Sequence, residues 1–276
     1  MSQSASQNKR VALVTGASAG IGKAIVRQLL GDGWTVYGAA RRVENMSDIQ
    51  TEGASVLSLD VTDDASMTAA VTKLLETEGR IDALVNNAGY GSYGAIEDVP
   101  IDEARRQFDV NVFGVARMTQ LVLPSMREAG SGTIVNISSM GGRIWMPIGG
   151  WYHATKHALE VLSDALRVET KRFGINVVVI QPGAIESEWS AISADNLRKT
   201  ASDSVYQHVI GPMARALEGY DKAAGPEVVA RAVATAVNSA KPRRRYATPL
   251  DAKALIFLHW LLPDSLFERL LKAALK

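Results

Sequence analysis

Two ionisable side chains, Tyr152 and Lys156, stand four residues apart near the middle of the chain. If this segment is helical, the two side chains project from the same face. A neighbouring ammonium group favours the phenolate and should lower a tyrosine pKa from its usual value of about 10. Such a phenol can donate and accept a proton near neutral pH. The pair Ser138–Ser139, one short loop upstream, adds hydroxyl groups, although serine pairs also commonly cap loops.

A glycine-rich turn near the N-terminus has the context of a phosphate-binding site. The apolar run Val11–Thr15 leads directly into three closely spaced glycines, and a helical pattern follows. In such a turn the first glycine permits the bend, the second lets a pyrophosphate approach the backbone, and the third allows the helix to pack on the sheet. A glycine-rich turn without a ligand is the alternative. The predicted cofactor contacts are Gly16, Ser18, Ala19, Gly20, Ile21 and Gly22.

The end of the second predicted strand indicates which dinucleotide would bind. An enzyme that prefers NAD places a carboxylate there for the ribose 2′-hydroxyl, but this chain has Arg41 and Arg42. Guanidinium groups suit a 2′-phosphate, so NADP(H) is the predicted cofactor. The alternative is a solvated loop in which an arginine pairs with Glu44. The turns after the third and fourth strands complete the predicted cofactor wall with Asp60, Val61, Asn87, Ala88 and Gly89.

The composition excludes several classes of function. The chain has 276 residues, 47% of them hydrophobic, which is enough for one large α/β domain. Its formal net charge of +1 gives no field that favours nucleic acid. It has no cysteine, which excludes thiol chemistry. Its four histidines are scattered along the sequence, so no metal site is predicted. Residues 1–8 are expected to be disordered; no signal peptide or spanning segment is expected, so a cytoplasmic protein is predicted.

Short β-branched runs alternate with longer helical patterns, which is typical of a parallel sheet with helices on both faces. Seven strands are predicted, at Arg10–Thr15, Thr35–Ala39, Ser55–Leu59, Ala83–Asn86, Gly132–Ile137, Asn176–Gln181 and Arg245–Thr248. Helices are predicted near Ile21–Gly31, Asp64–Glu78, Ile101–Glu128, Gly149–Phe173 and Pro226–Ser239. With right-handed crossovers, this order predicts a single Rossmann-type, doubly wound α/β domain over residues 9–276.

Together these motifs resemble the short-chain dehydrogenase/reductase family over about Lys9–Ser187. Thr15–Gly22 matches the family's T-G-x-x-x-G-x-G turn, and Asn86–Gly89 matches its N-N-A-G motif. The family's serine stands thirteen residues before its tyrosine, which selects the second serine of the pair. The resemblance implies the catalytic residues Asn111, Ser139, Tyr152 and Lys156. It also implies nicotinamide-side contacts from Tyr152, Lys156, Pro182, Gly183, Ile185 and Ser187.

The resemblance implies hydride transfer between a nicotinamide and a carbonyl or secondary alcohol carbon. Tyr152 would exchange the proton with the substrate oxygen, and Ser139 would hold that oxygen. Lys156 would lower the tyrosine pKa and bind the nicotinamide ribose. Asn111 would anchor a water that links Lys156 to solvent; alternatively, it is a buried amide that satisfies backbone groups where its helix bends. No role is predicted for the neighbouring His153.

The C-terminal third is similar to the 17β-hydroxysteroid-dehydrogenase-like branch of the family, through Pro242–Tyr246, Asp251–Lys253 and a Leu-Leu-Pro-Asp sequence. That branch implies a lipophilic carbonyl or alcohol substrate, such as a steroid, retinoid or lipid. Residues 188–220 would form a substrate lid, or else an ordinary pair of surface helices. The family also implies a homodimer or homotetramer. An apolar cleft is predicted from Tyr90, Tyr93, Ile144, Trp145, Met146, Pro147 and Trp151.

The apolar tail at residues 250–276 contains a run that is too short to span a bilayer. We expect the tail to pack on its own subunit or on a partner, and peripheral contact with a membrane surface is the alternative. Two other functions fit the dinucleotide motifs. One is a 3-oxoacyl thioester reductase, and the other is a non-catalytic NADP(H)-binding redox sensor, which would not need the four catalytic residues.

Overall fold

The computed structural model describes residues 9–186, 188–200 and 203–274, which form an α/β fold around one seven-stranded sheet. Every predicted strand is present, and its ends differ from the prediction by at most one residue. Residues 1–8, predicted to be disordered, lie outside the described residues, as does Ser187. The strands are β1 Val11–Thr15, β2 Thr35–Ala40, β3 Ser55–Ser58, β4 Ala83–Asn86, β5 Gly132–Ile137, β6 Ile175–Pro182 and β7 Arg245–Thr248.

Helices follow most of the strands, and the five predicted ones are all found. The helix expected over Ile101–Glu128 is interrupted, because a π-helical turn at Asp109–Phe113 joins two α-helices. Directly after this turn, a Cβ on Gly114 would lie 2.6 Å from the Val61 carbonyl oxygen, so the helix passes very close to the loop after β3. The helices are α1 Gly20–Gly31, α2 Ser47–Thr51, α3 Asp64–Glu78, α4 Ile101–Phe108, α5 Gly114–Ala129, α6 Gly150–Thr170, α7 Glu188–Thr200, α8 Gln207–Glu218, α9 Glu227–Val237, α10 Leu250–Leu261 and α11 Asp264–Ala274.

The strand order places a topological switch point in the middle of the sheet. The order is β3-β2-β1-β4-β5-β6-β7, and all neighbouring strands are parallel. The chain therefore winds in one direction from β1 to β3 and in the other from β4 to β7. In open α/β sheets a crevice forms outside the carboxyl ends of the strands at such a point, here between β1 and β4.

The central strand β1 shows how the sheet divides the core into two layers. Ala12 and Val14 point to the face covered by α1 and α9, whereas Val11 and Leu13 point to the face covered by α3 and α5. All four side chains are buried. Strands buried on both faces read as continuous apolar runs, which is why the sequence predicted them so closely.

Two smaller apolar clusters lie at the carboxyl ends of the strands. The helices α7 and α8, which occupy the predicted lid region, pack against Tyr93, Tyr152 and neighbouring residues. The tail helix α11 buries Phe267 and Leu271 against Ile144. Both clusters join C-terminal helices to loops that follow β4 and β5, so the C-terminal third shapes the crevice.

The tail is only partly covered. It packs on its own chain through α11, while α10 leaves Phe257, Trp260 and Leu261 more than half exposed. In the ranges that the structure describes, no helix has both the length and the apolar content needed to cross a membrane.

Candidate active site

A cavity of about 1090 Å³ lies at the carboxyl ends of the strands, at the switch point. Its wall includes all the predicted cofactor contacts within the described residues, three of the four predicted catalytic residues, and several residues that the sequence did not indicate. The predicted residues on the wall are Gly16, Ser18, Ala19, Gly20, Ile21, Gly22, Arg41, Arg42, Asp60, Val61, Asn87, Ala88, Gly89, Ser139, Tyr152, Lys156, Pro182, Gly183 and Ile185.

The turn after β1 requires glycine at two positions. Gly16 has a φ of 68°, and a Cβ there would lie 2.8 Å from the Ala88 Cα. A Cβ on Gly22 would overlap the Gly16 carbonyl oxygen. At the first turn of α1, the N-cap residue Ala19 has no side-chain acceptor, so the amide groups of that turn can meet an anion. The local geometry is that of a backbone cradle.

A threonine and an asparagine fasten this cradle to β4. The Thr15 hydroxyl accepts hydrogen bonds from the backbone amides of Asn87 at 3.1 Å and Ala88 at 3.0 Å. The Asn87 side chain donates to the carbonyl oxygens of Thr15 at 3.0 Å and Gly16 at 3.1 Å. Thr15 was predicted only as the first residue of the turn motif, and its contact with the N-N-A-G segment was not predicted.

Arg41 and Arg42 line the cavity beyond β2 and are exposed to solvent. In the described part of the chain neither guanidinium forms an ion pair, so the alternative pairing with Glu44 is not found. Burial acts to raise the pKa of the Asp60 carboxyl, but two hydrogen bonds from Thr62 outweigh it. The positive charges of Arg41 and Arg106 help to hold this pKa below its usual value.

Arg106 was missed by the sequence analysis. It lines the cavity from α4, with its guanidinium 5.7 Å from the centre of the Tyr90 ring. Together with Arg41 it places positive charge near the Asp60 carboxylate. No local motif marks it, because α4 reaches the cavity only through the folded helix packing.

Three of the predicted catalytic side chains converge at the other end of the cavity. Tyr152 and Lys156, on α6, are 92% or more buried, and the ammonium lies 5.9 Å from the centre of the phenol ring. The Ser139 hydroxyl, at the end of β5, makes a hydrogen bond with Tyr152. The Ser138 hydroxyl has no partner among the described residues, so the serine selected by spacing is the one beside the phenol.

The expected acidification of the phenol is not found in the protein alone. Burial raises the pKa of Tyr152 to about 12, against the lowering effect of the hydrogen bond from Ser139. Burial also lowers the pKa of Lys156 to about 8, against the charge of Glu160. The Lys156 ammonium donates its hydrogen bond to the Ile137 carbonyl at 2.9 Å, which directs it to the backbone of β5. The prediction was wrong in sign because a sequence does not show how deeply a pair is buried.

Asn111 lies behind the cavity wall, in the π-helical turn. Its side chain accepts from the Tyr90 amide at 3.1 Å and donates to the Tyr90 carbonyl at 2.9 Å and the Thr155 hydroxyl at 3.1 Å. A Cβ on Gly89 would lie 3.0 Å from the Asn111 Oδ1 and 3.7 Å from the Lys156 Nζ, so both side chains approach this glycine. The Asn111 side chain therefore satisfies backbone groups as a buried amide, which was the alternative interpretation. The water that it would anchor stays a prediction.

The segment after β6 is held by the C-terminal region. Pro182, Gly183 and Ile185 line the cavity. The Asp251 carboxylate, from the first turn of α10, accepts from the Ala184 amide at 2.9 Å, and a Cβ on Gly183 would lie 2.5 Å from it. Asp251 was not predicted as a site residue, since only the fold brings it to this loop.

His153 also lines the cavity, although the sequence assigned it no role. Its Nδ1 lies 2.9 Å from the Gly141 carbonyl oxygen, and its ring meets the Tyr152 ring edge to face at 5.6 Å. No sequence pattern indicates this contact, because Gly141 belongs to a separate loop after β5.

The predicted apolar cleft is only partly correct. Tyr90, Tyr93, Ile144 and Met146 line the cavity, whereas Trp145, Pro147 and Trp151 are not on its wall. Trp145 instead faces Phe267 of α11, with ring centres 6.3 Å apart.

Tyr93 and Tyr220 give the catalytic end of the cavity an aromatic wall. The Tyr93 ring lies 5.6 Å from that of Tyr152, and Tyr220, which the sequence did not indicate, lines the same region after α8. Burial raises the pKa of both side chains, so they are neutral phenols near pH 7. In the predicted lid, Leu197 is buried in the cluster of α7 and α8, while the side chains of Trp189 and Ile192 lie outside the described ones.

The sheet, the switch point and the glycine cradle define a Rossmann-like dinucleotide-binding protein. A family model described as short chain dehydrogenase matches residues 10–197, about two thirds of the chain. The chain therefore belongs to the short-chain dehydrogenase/reductase family and is an oxidoreductase of that family. This agrees with the motifs from which the family was predicted.

Similar proteins extend the match beyond those residues. An NADPH-dependent 3-dehydrocapnine reductase from Ornithobacterium rhinotracheale is 35% identical to this chain. The match covers 97% of this chain and 98% of the reductase. A 3-ketodihydrosphingosine reductase from Bacteroides thetaiotaomicron is 42% identical over 63% of each chain. The crystal structure of a short-chain dehydrogenase from Streptomyces avermitilis, 36% identical, superposes with a TM-score of 0.82 and covers 96% of both chains.

Proposed function

We propose that this protein is an NADP(H)-dependent oxidoreductase that transfers a hydride between nicotinamide and the carbonyl or secondary alcohol carbon of a lipophilic substrate. The observation that carries the proposal is the arrangement of the cavity. A backbone cradle and two exposed arginines lie at one end, and the Ser139, Tyr152 and Lys156 side chains meet at the other.

The chain fits a dinucleotide at the positions that the proposal needs. Side chains on Gly16 or Gly22 would overlap neighbouring atoms of the turn. The first turn of α1 has no side-chain cap, so its amides are available to a phosphate. Pro182, Gly183 and Ile185 would hold the nicotinamide end. When bound, the reduced nicotinamide supplies the hydride that forms the new C–H bond.

The catalytic residues would manage the oxygen of the substrate. The Ser139 hydroxyl would donate a hydrogen bond to the carbonyl oxygen, whose double bond opens as the hydride arrives. Tyr152, whose pKa of about 12 keeps it protonated near neutral pH, would give its proton to the resulting alkoxide. In the oxidation direction the same phenolate would take the alcohol proton. Lys156 would bind the nicotinamide ribose and place positive charge beside the phenol.

The preference for NADP(H) rests on the residues after β2. Arg41 and Arg42 are exposed on the cavity wall, and the structure places no carboxylate directly after Ala40. A guanidinium can bind a 2′-phosphate with two parallel hydrogen bonds. One similar protein, the 3-dehydrocapnine reductase, is named as NADPH-dependent, which supports the same preference.

A lipophilic substrate is supported by the aromatic and aliphatic wall around Tyr152. Tyr93, Ile144, Met146 and Tyr220 line this region. The tail motifs support membership in the 17β-hydroxysteroid-dehydrogenase-like branch, and two similar proteins are named as reductases of 3-dehydrocapnine and 3-ketodihydrosphingosine. Helices α7 and α8 would act as the substrate lid.

We also propose a homodimer or homotetramer, formed through the helical segment from α4 to α5 and through α6. Exposed apolar side chains on these helical segments support this assembly, because contact with a second subunit would remove their apolar surface from water. They are Phe113, Val161, Leu162 and Val168. A cytoplasmic location is also proposed. Membrane contact through the exposed face of α10 is the alternative to a tail that packs on its own subunit or on a partner.

The test is a turnover screen with NADPH and with NADH. The carbonyl compounds are 3-ketodihydrosphingosine, androstenedione, all-trans-retinal and acetoacetyl-coenzyme A, and the readout is loss of reduced-cofactor absorbance. Faster NADPH oxidation with a lipophilic ketone or aldehyde supports the proposal. Turnover with the thioester alone favours a 3-oxoacyl thioester reductase. Tight NADPH binding without turnover of any carbonyl favours a redox sensor and contradicts the proposal.

A further inference from the structure

The imidazole of His153 is fixed on both edges by glycines. The side chain is only 5% exposed. A Cβ on Gly141 would lie 2.5 Å from its Nδ1, and a Cβ on Gly149 would lie 2.8 Å from its Nε2. Both loop positions therefore fit this ring only without a side chain. Such close contact leaves the imidazole little freedom to turn.

The contact with Gly141 decides where the imidazole carries its proton. A carbonyl oxygen can only accept a hydrogen bond, so the 2.9 Å contact requires the proton on Nδ1. Burial lowers the pKa of His153 to about 4, which keeps the ring neutral near pH 7. Nε2 is then a bare acceptor, and it has no hydrogen-bond partner among the described residues.

Gly141 connects this imidazole to the catalytic end of the cavity. Its carbonyl accepts from His153, and its amide donates to the Ser139 hydroxyl oxygen at 3.0 Å. The Ser139 hydroxyl in turn bonds Tyr152. Backbone hydrogen bonds hold the 3-10 turn at Met140–Gly142 from within. The imidazole, on the residue next to the catalytic tyrosine, adds a contact from outside the turn at the Gly141 carbonyl.

We propose that His153 is a positioning residue: with its proton on Nδ1, it holds the Gly141 peptide so that the Ser139 hydroxyl stays aligned with Tyr152. This inference rests on the proposed hydride-transfer function for its catalytic consequence. The role is distinct from filling space, because it depends on one donor at one edge of the ring.

Replacements at this position separate the two roles. Asparagine presents an amide N–H near the position of Nδ1, whereas glutamine presents it near Nε2, and phenylalanine fills the volume without a donor. We expect His153→Asn to keep kcat within about threefold of the wild type. His153→Gln and His153→Phe should lower kcat about ten- to a hundredfold, as expected for a misaligned donor to the reacting oxygen, with unchanged NADPH affinity. His157→Asn, an exposed histidine on the same helix, is the matched control.

A double-mutant cycle tests whether His153 acts through Ser139. The assay is NADPH-dependent reduction of 3-ketodihydrosphingosine, or of the panel compound that the wild type reduces fastest. Ser139→Ala combined with His153→Phe should be no slower than Ser139→Ala alone, within about twofold. Independent, additive losses would overturn the inference, as would equal activity of the asparagine and phenylalanine variants.

A measurement without turnover keeps this inference separate from the proposed function. Nuclear magnetic resonance of nitrogen-labelled histidine distinguishes the two tautomers, and His153→Asn identifies the signal among the four histidines. We expect a neutral ring protonated on Nδ1 at pH 7. A ring protonated on Nε2 overturns the inference whatever the activity, and an Nδ1-protonated ring in a protein that reduces no carbonyl would contradict only the proposed function.

Discussion

The two ends of the cavity differ in the groups that they present. The end formed by the turns after β1 and β4 presents mostly backbone groups to a ligand, whereas the end around α6 presents side chains. At the first end, Gly16 and Gly22 are required because any Cβ would meet neighbouring backbone atoms. At the second end, Tyr93, Tyr152 and Tyr220 come from three separate segments and share one wall. The first end is therefore specified by a short local sequence, while the second depends on contacts between distant parts of the chain.

The largest effect on NADPH binding should come from overpacking the cradle. In Gly22→Ala the new methyl group would overlap the Gly16 carbonyl oxygen and meet the Asn87 side chain at 2.5 Å. Overpacking of this kind costs about 1–3 kcal/mol, so NADPH affinity should fall by up to about a hundredfold. Fluorescence titration with NADPH measures this change in affinity.

Gly31→Ala, at the other end of α1, is the matched control, because nothing lies within 4 Å of its Cβ position. This variant should bind NADPH as the wild type does. Similar losses in both variants would show that the cradle is not specified locally.

At the α6 end, acid should destabilise the protein through His153. Its pKa is about 4 in the fold and about 6.5 in the unfolded chain, so the unfolded state binds more protons between these values. Stability therefore rises with pH across this window and is lost as pH falls through it, by about 3 kcal/mol in total. Urea unfolding at several pH values should show a flatter profile for His153→Asn. Identical profiles would mean that this ring is not buried as a neutral group.

Arg41→Ala should separate the two dinucleotides. Loss of a charge-assisted hydrogen bond to a 2′-phosphate is worth about 1.5–3 kcal/mol, so NADPH affinity should fall about ten- to a hundredfold. NADH affinity should stay within about twofold, because it lacks that phosphate. Binding titrations with both cofactors measure the ratio, and Arg105→Ala, on the exposed side of α4, is the control. Equal losses for the two cofactors would remove Arg41 from the 2′-phosphate site.

Asp251→Ala should have the smallest effect, at the point where the C-terminal region meets the loop after β6. The Ala184 amide would lose its acceptor, and the loop would be held less firmly. An unpaired amide costs about 1–3 kcal/mol, so NADPH should bind about tenfold more weakly. Asp264→Ala, in the first turn of α11, is the control. An unchanged NADPH affinity in Asp251→Ala would show that the hydrogen bond between Asp251 and the Ala184 amide does not affect cofactor binding.

The sequence predicted the sheet and the glycine turn on the cavity wall closely because both follow local rules. Apolar runs marked each buried strand, and glycine spacing marked the turn after β1. Arg106 and Asp251 were not predicted, and His153 was assigned no role, because their contacts depend on the fold and carry no local pattern. Arg106 and His153 line the cavity, and Asp251 binds the loop after β6. The π-helical turn in the predicted long helix was missed for the same reason.

The predicted direction of the Tyr152 pKa shift was wrong, although the neighbouring side chain was predicted correctly. Four-residue spacing correctly placed Lys156 beside Tyr152, but it gave no measure of burial. Desolvation disfavours the charged form of both groups and so raises one pKa and lowers the other. Spacing alone therefore gave the neighbours and missed the direction of the shift.

The most direct test of the hydride-transfer proposal is Tyr152→Phe, measured for both turnover and NADPH binding. Removing a general acid–base group typically costs about a hundred- to ten-thousandfold in rate. We expect kcat to fall by at least about a hundredfold, while NADPH affinity changes less than about threefold, because the ring and its packing against Tyr93 remain. Near-normal turnover in this variant would contradict the assignment of Tyr152 as the proton donor.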